Sequence, residues 1–456
     1  MAKYRTRFSE SCFTPLVVEQ RGSSFEEGSE AEFQLVNPVE RVTLNVSFSP
    51  DQEAAYKAMM AWTKRRDGRI LSLGGYAGSG KSTLISVLAG EMYHKRVVFC
   101  ALTGKAAGVL RKKLRDAGIK GPNHEVMTLH SLLYQSYTHE CSATCMVNEK
   151  KCEKSGMLCW SDKPGGMADY DLIVIDEASM VSDQILQDLL RHNPRKILAV
   201  GDHGQLPPVG GSASLMDKPD LRLEKIHRQA AGNPILELSQ IIREYGALPQ
   251  TLPGAGDGRV QYVRHQDFEP LMRQVYGERE SKDVATLCWT NRVRKRLNET
   301  IRRIVLKDEY DAATPVDGDQ VICLRNAYRI AFNGMRGYLE DVAPASESDH
   351  HYRTTAIFPE DNLRFRGDAC RHLFTMEKGL GSLLDLESYG MKAKTWEDFG
   401  FQLDYGYALT VHKSQGSQFD TVAYIRERPP QATADHYKRH LYTGITRATD
   451  RLFIVI

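Results

Sequence analysis

The stretch ILSLGGYAGSGKSTLISVLAGEMY, residues 70–93, decides the fold of this chain. It begins with an apolar run typical of a buried strand, passes through a glycine-rich loop and ends with the apolar spacing of a helix. The loop, residues 75–83, fits the pattern GxxxxGK followed by Ser or Thr. The backbone N–H groups of such a loop surround the phosphates of a nucleotide, and its lysine neutralises their charge. The stretch therefore predicts an α/β fold that binds a nucleoside triphosphate.

Eight residues of this loop are the predicted nucleotide ligands. Lys81 neutralises the β- and γ-phosphates, and the hydroxyl of Ser82 is a predicted Mg²⁺ ligand. An accidental match in a glycine-rich turn is the alternative, and the flanking strand and helix argue against it. The set is Gly75, Ala77, Gly78, Ser79, Gly80, Lys81, Ser82 and Thr83.

Two further strand ends carry polar residues that such a site needs. The apolar run LIVI ends in Asp176 and Glu177, which suit a Mg²⁺ ligand and a general base that activates water. Gln205 follows the run KILAVGD, where a glutamine either hydrogen-bonds to the γ-phosphate and the attacking water or simply caps a turn. Continuous apolar strands separated by helices predict a parallel sheet covered on both faces.

Composition limits the class of protein. At 456 residues the chain predicts two to four domains, because a single core rarely grows that large. With 41% hydrophobic and 26% charged residues it has ordinary globular composition, and no apolar run approaches the roughly 20 residues that span a bilayer. No signal peptide is indicated, so we expect a cytoplasmic protein. Since the net charge is only +2, any basic track for nucleic acid must be local.

The second half of the chain repeats the α/β pattern. A Gly- and Pro-rich segment at 248–258 predicts a boundary between two lobes, and a strand at 284–290 follows it. The segment at about 310–400 lacks this pattern. It alternates apolar and polar residues and contains Asn333-Gly334, a dipeptide typical of β-hairpin turns. We therefore predict a small β domain inserted into a second α/β lobe.

Eight motifs occur in the order found in superfamily 1 helicases, and the chain resembles the RecD-like and Dda-type phage members of that superfamily. The resemblance runs from about residue 48 to the end and leaves the first 46 residues outside it. The motifs are GYAGSGKST (75–83), ALTGKAAGVL (101–110), TLHSLL (128–133), VIDEASMV (174–181), GDHGQLPPVG (201–210), IHRQ (226–229), YALTVHKSQGSQFD (407–420) and LYTGITRATDRL (441–452).

The resemblance implies an α/β fold of two RecA-like P-loop lobes, with a small hairpin inserted in the first and a small β-barrel of Src-homology type in the second. ATP would lie in the cleft between the lobes, and single-stranded DNA would cross both. The expected divisions are an N-terminal accessory segment at 1–46, a first lobe at 47–245 with its hairpin at about 134–168, and a second lobe at 246–456 with its barrel at about 310–400.

Further site residues follow from the resemblance alone. Gln52 resembles the glutamine that reads adenine, while Arg228 and Arg447 resemble the two arginines that reach the γ-phosphate, the latter from the second lobe. Gln418 departs from the family, which commonly has an acidic residue at that position. Residues similar to the family's nucleic-acid contacts are Thr103, Lys105, Thr128, His130, Thr410, His412, Lys413, Ser414 and Gln415.

The resemblance implies an ATP-dependent DNA helicase that moves 5′ to 3′ on single-stranded DNA and unwinds duplexes in replication, recombination or repair. Its expected partners are single-stranded DNA, junctions with duplex DNA, and replication or recombination proteins, and it is expected to work as a monomer. Two alternatives stay open. One is an RNA helicase of the same superfamily, because backbone contacts separate RNA from DNA poorly. The other is an ATP-regulated nucleic-acid-binding protein without unwinding activity.

A cysteine cluster lies between TLHSLL and VIDEAS, where the family places a hairpin that splits the duplex. Its four thiols and the nearby His139 suit a structural zinc ion that would stabilise a hairpin too small for its own core. The spacing differs from that of CxxC pairs, and reduced, unconnected cysteines are an equal alternative. We expect the region of Trp160 to lie at the duplex junction. The predicted zinc ligands are Cys141, Cys145, Cys152 and Cys159.

Overall fold

The computed structural model contains two parallel sheets, one antiparallel sheet and a two-stranded hairpin. Among the residues described below, no helix has both the length and the apolarity needed to cross a membrane. For residues 136–138, 158–160 and 214 only the backbone is described. The structure describes residues 46–119, 123–138, 158–163, 167, 169–208, 214–224, 232–254, 256–277, 283–311, 314–324, 333–345, 350–359, 363–374 and 400–456.

The first lobe alternates strands and helices. Its strands are β1 (Ile70–Gly75), β2 (Val97–Ala101), β3 (His124–Thr128), β4 (Tyr134–Thr138), β5 (Leu158–Asp162), β6 (Leu172–Ile175), β7 (Ile197–Gly201) and β8 (Leu221–Leu223). Its helices are α1 (Pro50–Lys64), α2 (Lys81–Glu91), α3 (Gly104–Asp116), α4 (Leu129–Leu133), α5 (Asp183–Arg191) and α6 (Ser214–Asp217). The main sheet is parallel throughout in the order β3-β2-β6-β7-β1-β8. Every residue of β2, β6 and β7 is buried, as expected when both faces are covered.

The strand order places three loops beside one another. β7 lies between β1 and β6, pairing Ile197 with Ile70 on one side and with Ile173 on the other. The carboxyl ends of parallel strands share one edge of a sheet, which is where ligands bind in open α/β folds. The P-loop after β1, the loop after β7 and the acidic residues after β6 therefore line the same edge.

The hairpin inserted in the first lobe consists of β4 and β5. They pair antiparallel, from Tyr134 opposite Asp162 to Thr138 opposite Leu158. Trp160 lies on β5, where only the backbone is described. The zinc prediction falls outside the described side chains: Cys141, Cys145, Cys152 and Cys159, with His139. Among the side chains that are described, no group of three or more His, Cys, Asp or Glu residues could hold a metal ion.

The second lobe is built on another parallel sheet. Its helices are α7 (Pro234–Tyr245), α8 (Phe268–Gly277), α9 (Asn291–Leu306), α10 (Val411–Ser414) and α11 (Ala434–Ile445). The remaining strands are β9 (Val260–Val263), β10 (Val284–Cys288), β11 (Gln320–Cys323), β12 (Arg336–Pro344), β13 (His351–Phe358), β14 (Leu363–Cys370), β15 (Leu403–Tyr405), β16 (Ala408–Thr410), β17 (Phe419–Ile425) and β18 (Ala448–Val455). Strands β16-β10-β17-β18-β9 form the parallel sheet in that order. The prediction of two RecA-like lobes is confirmed.

The insertion in the second lobe is an antiparallel sheet in the order β14-β13-β12-β11-β15. The predicted turn leads into β12: Gly334 has a φ of 91°, which favours glycine, and its N–H donates to the carbonyl of Cys323 at 2.8 Å. An isolated bridge joins Ala369, near the end of β14, to Phe401, just before β15. Closure of this sheet into a barrel stays a prediction.

Helix α7 packs on the second lobe. Ile235, Leu238 and Ile242 are buried in one cluster with Leu441 of α11 and Leu452 of β18. Asn233 caps the start of the helix and Gly246, with a φ of 72°, ends it. Because its apolar face belongs to that core, we propose that the boundary between the lobes falls before Pro234 instead of at 245.

Candidate active site

The P-loop curls around the ammonium group of Lys81. Gly78 and Gly80 have φ values of 77° and 86°, which side-chain-bearing residues rarely adopt. Lys81 Nζ donates to the carbonyl oxygens of Gly75 at 2.6 Å and Tyr76 at 3.0 Å. The loop therefore brings a positive charge and the amino end of α2 to the same point, an arrangement that attracts anions.

Two observations fit this loop to a polyphosphate. A Cβ added at Gly75 would lie 2.5 Å from Ser79 Oγ and 3.0 Å from Lys81 Cγ, so a larger residue at this position would displace side chains of the loop. The hydroxyl of Ser79 is buried and has no hydrogen-bond partner among the described residues. A buried donor without a partner costs free energy, and phosphate oxygens are suitable acceptors for it.

Asp176 and Glu177 follow β6 and are half-buried beside the loop. Glu177 has a φ of 53°, and its N–H donates to Asp176 Oδ1 at 3.0 Å. Desolvation and the charge of Asp176 raise the pKa of Glu177, while Arg447 and Lys81 oppose the shift. A carboxylate with a raised pKa is a better proton acceptor, as a general base requires.

The loop after β7 adds two buried polar side chains. Asp202 is 1% and Gln205 is 4% exposed. Asp202 Oδ1 accepts from the N–H of Gly204 at 2.9 Å. Gln205 Oε1 is buried without a hydrogen-bond partner among the described residues. This oxygen is therefore able to accept a hydrogen bond from a water molecule in the cleft.

Arg447 reaches the cleft from the second lobe, just after α11. Its side chain is buried, and its nitrogens donate to the carbonyls of Thr443 and Ser417, both at 3.1 Å. Among the described residues, no carboxylate lies within ion-pair distance of this guanidinium, so its positive charge is not neutralised by direct contact. The guanidinium is thus able to stabilise negative charge on a phosphoryl group.

These parts surround one cavity of about 770 Å³ between the lobes. Its wall contains six of the eight predicted loop residues, all but Gly75 and Ser79, together with both carboxylates, Gln205 and Arg447. Gln418, the residue that departs from the family, also lines it. Further lining residues that the sequence did not single out are Val46, Ser47, Val109, Lys113, Asp202, Gly416, Ser417 and Thr446.

Of the two remaining residues predicted to contact the nucleotide, Gln52 and Arg228, the structure describes only Gln52. Gln52 is buried, and its amide accepts from the N–H of Ser49 at 3.1 Å and donates to the Ser79 carbonyl at 2.9 Å. It thus ties α1 to the P-loop, and its reading of adenine stays a prediction. Arg228 lies outside the described residues.

The threonines predicted to contact nucleic acid are helix N-caps. Thr128 and Thr410 are the last residues of β3 and β16, and Thr103 lies two residues after β2. The hydroxyl of each accepts a hydrogen bond from the backbone of the helix that follows. Thr290, which the sequence reasoning missed, caps α9 in the same way after β10. The pattern of strand, threonine and helix could have identified it. Both lobes thus present helix amino ends at the carboxyl edges of their sheets, where backbone phosphates are favourably bound.

Other predicted nucleic-acid residues differ in position. Lys105 lines the nucleotide cavity, with Nζ 5.2 Å from the ring centroid of Phe419. Gln415 donates to the carbonyl of Leu206 in the first lobe at 2.8 Å, so it joins the lobes. Ser414 is buried and donates to Val411 at 2.8 Å. The contact of each of these three residues with nucleic acid stays a prediction.

The remaining predicted contacts lie nearer the surface. Lys413 is exposed, and His130 and His412 are half-buried. Burial lowers the pKa of both histidines. This shift favours the neutral form of both imidazoles, and Lys413 is the exposed basic residue of the three.

The fold and the site define a P-loop nucleoside triphosphatase whose cleft is completed by an arginine from a second RecA-like lobe. Two family models match the chain: an AAA domain at residues 47–261 and a UvrD-like helicase C-terminal domain at residues 405–455. The first match contains the P-loop and both carboxylates, and the second contains Arg447. Together with the relatives below, these matches support a superfamily 1 helicase of the RecD/Pif1-like group and confirm the resemblance inferred from the motifs.

Individual relatives extend the match over most of the chain. The ATP-dependent RecD2 DNA helicase of Deinococcus radiodurans is 27% identical over 410 residues, which are 84% of this chain and 46% of the relative. The ATP-dependent DNA helicase Pif1 of Campylobacter jejuni is 23% identical over 421 residues, 83% of this chain and 86% of the relative. The solved structure of Bacteroides Pif1 bound to single-stranded DNA has a TM-score of 0.48 at 18% identity, covering 90% of this chain and 92% of that one. The chain thus spans less than half the length of the RecD2 relative.

Proposed function

We propose that this protein hydrolyses ATP in the cleft between its lobes and uses the cycle to move along single-stranded DNA and unwind duplex DNA. The observation that carries the proposal is the single cavity lined by the P-loop of one lobe and Arg447 of the other. A nucleotide that contacts both lobes is bound most tightly when the lobes close around it. The free energy of nucleotide binding therefore drives the closing movement of the lobes. Movement 5′ to 3′ is part of the proposal, in keeping with its RecD and Pif1 relatives.

Each residue of the cleft has a proposed role. Lys81 and the loop amides bind the phosphates, Glu177 takes a proton from the attacking water, and Gln205 orients that water. Arg447 and Arg228 stabilise the charge that develops on the transferred phosphoryl group. Ser82 and Asp176 would hold Mg²⁺, which neutralises phosphate charge when bound.

The nucleic acid is proposed to cross the carboxyl edges of both sheets. Helix amino ends capped by Thr103 and Thr128 lie on the first lobe, and those capped by Thr290 and Thr410 lie on the second. For net movement, ATP must change the affinity of one lobe for the strand more than that of the other. The hairpin of β4 and β5 is proposed to meet the duplex junction.

The wider setting of the protein is also a proposal. We infer that it works as a monomer in the cytoplasm, on junctions of single- and double-stranded DNA and with proteins of replication or recombination. The RecD2 and Pif1 relatives are named as DNA helicases. Zinc at the cysteine cluster finds no support and forms no part of the proposal.

A directional unwinding assay tests the proposal. Duplexes with a single-stranded 5′ tail, a 3′ tail or no tail are mixed with the protein and ATP, and strand separation is followed by fluorescence. Separation of the 5′-tailed duplex alone is expected, and it should disappear in Lys81→Ala. Preference for the 3′ tail would refute the direction. Unwinding of matched RNA but not DNA would instead indicate an RNA helicase, and ATP-dependent binding without separation would indicate a binding protein.

A further inference from the structure

The hydroxyl of Tyr442 connects the second lobe to two parts of the nucleotide site in the first. It donates to Asp202 Oδ2 at 2.6 Å and accepts from the N–H of Ala77 at 3.0 Å. Tyr442 and Asp202 are each 1% exposed, so water does not compete for these bonds. One hydroxyl thus joins α11, the end of β7 and the P-loop.

Chemistry fixes the direction of both hydrogen bonds. A phenol has a single proton, and the Ala77 N–H is only able to donate, so the phenol proton must point to the carboxylate of Asp202. The other oxygen of that carboxylate accepts from Gly204, which fixes its orientation. Burial and the charge of Asp202 raise the pKa of Tyr442, so the proton is retained at physiological pH. The two hydrogen bonds therefore run from the Ala77 N–H to the Tyr442 hydroxyl and from that hydroxyl to the Asp202 carboxylate. They connect the P-loop to the end of β7 through a residue of the second lobe.

The ring of Tyr442 also packs against the P-loop. It meets the ring of Tyr76 edge-on, with the centroids 6.1 Å apart. A Cβ added at Gly204 would lie 3.1 Å from both rings, so the loop after β7 is closely packed between them. The guanidinium of Arg243, on α7, lies 3.6 Å from the centroid of the Tyr76 ring. A shift of the second lobe would therefore disturb the P-loop directly.

Tyr442 and Arg447 form one unit at the end of α11. Arg447 Nε donates to the Thr443 carbonyl at 3.1 Å, and Thr446 Oγ1 donates to the Tyr442 carbonyl at 2.9 Å. These bonds fix the arginine to the same helix end that carries the tyrosine. The hydroxyl bonded to Ala77 therefore sets where the arginine stands relative to the P-loop.

We propose that Tyr442 is a positioning residue, whose hydroxyl holds Arg447 at its working distance from the phosphates and so governs the turnover of ATP more than its binding. The inference rests on the proposed function, since it takes ATP as the substrate. It adds a residue that does not touch the reacting atoms. Phosphate binding belongs to the P-loop itself, which the loss of one hydroxyl leaves in place.

The test compares Tyr442→Phe with Tyr437→Phe. Both changes remove one hydroxyl from α11, but Tyr437 stacks on Trp289 within the second lobe, with ring centroids 6.3 Å apart. ATP hydrolysis is measured with and without single-stranded DNA, and thermal unfolding checks folding. For Tyr442→Phe, kcat should fall roughly ten- to a hundredfold, because small misplacements of a catalytic group are costly. Its KM should stay within about twofold of that of the unchanged protein, as should both constants of Tyr437→Phe.

Asp202→Asn provides the second arm, because it keeps the shape of the partner and removes its charge. It should lower kcat in the same direction, and the double variant should be no slower than Tyr442→Phe by more than about twofold, since both changes break one chain. Unchanged kcat in Tyr442→Phe and Asp202→Asn, or a rise in KM alone, would overturn the inference. If the unchanged protein hydrolyses ATP without any response to DNA, the proposed translocation fails, while the effect on kcat in DNA-free hydrolysis still decides the role of Tyr442. Absence of all hydrolysis would overturn both.

Discussion

Replacing Asp319 by alanine should destabilise the second lobe, because it removes the partner of a buried charge. Arg302 of α9 is 2% exposed and Asp319, beside β11, is 0% exposed. The carboxylate accepts from Arg302 Nε at 2.7 Å and from a terminal guanidinium nitrogen at 2.8 Å. It also accepts from the N–H of Val316 at 2.9 Å and the hydroxyl of Tyr407 at 3.1 Å. This carboxylate joins the inserted sheet to the helix of the parent lobe.

The expected loss of stability depends on the hydrogen bonds that Arg302 retains. Breaking a buried ion pair by removing one partner typically costs about 3–5 kcal/mol. In Asp319→Ala the guanidinium still donates to the carbonyls of Asp311 at 3.2 Å and Thr314 at 3.0 Å. We therefore expect the lower end, about 3 kcal/mol. Replacing both partners by apolar residues, as Arg302→Met with Asp319→Leu, should recover much of this loss because no unpaired charge remains.

Urea unfolding at pH 7, followed by tryptophan fluorescence and circular dichroism, measures these differences. Asp308→Ala is the control, since Asp308 is exposed in the segment between α9 and the inserted sheet and its loss should cost less than about 0.5 kcal/mol. An Asp319→Ala variant within about 1 kcal/mol of the unchanged protein would refute the reasoning. So would a double variant less stable than Asp319→Ala.

Three further predictions concern the cleft. Arg447→Ala should lower kcat for ATP hydrolysis by about a thousandfold and change KM little, because the arginine acts on the transition state. A raised KM with an unchanged kcat would contradict this. The raised pKa of Glu177 means that its ionised form is lost at a higher pH than for an ordinary glutamate, so a pH–rate profile should show kcat falling earlier as pH drops. An unshifted acidic limb would count against Glu177 as the base. Gly75→Ala should weaken binding of a fluorescent ATP analogue at least tenfold, because its Cβ would lie 2.5 Å from Ser79 Oγ, whereas Gly256→Ala, where a Cβ meets nothing within 4 Å, should bind normally.

Local chemistry explains what the sequence revealed. The P-loop could be identified because its glycines, lysine and hydroxyl must be contiguous, and because an apolar strand and a helix must flank them. Asp176 and Glu177 followed from a strand end in the same way. Buried parallel strands read as continuous apolar runs, so the two lobes could also be predicted.

Contacts between distant segments could not be predicted. Nothing in the sequence near Tyr442 distinguishes a phenol bonded across the cleft from an ordinary core tyrosine of α11. Lys105 was predicted from the resemblance to contact nucleic acid, and the sequence did not indicate that its side chain lines the cavity between the lobes. Lys113, two helical turns later, donates to Ser82 Oγ at 3.1 Å and could have been found from its spacing to Lys105 once that face was known. The boundary at 245 was predicted from the Gly- and Pro-rich segment that follows α7, since the apolar spacing of a helix shows which face is buried but not against which core.

The rate of ATP hydrolysis as single-stranded DNA is added tests most directly whether the cleft couples hydrolysis to a strand. We predict a slow rate without DNA, a several-fold rise that saturates with DNA, and loss of both rates in Lys81→Ala, because strand and nucleotide are bound by the same pair of lobes. A rate that is indifferent to DNA, or one that survives in Lys81→Ala, would contradict the claim that the cleft couples hydrolysis to movement on a strand.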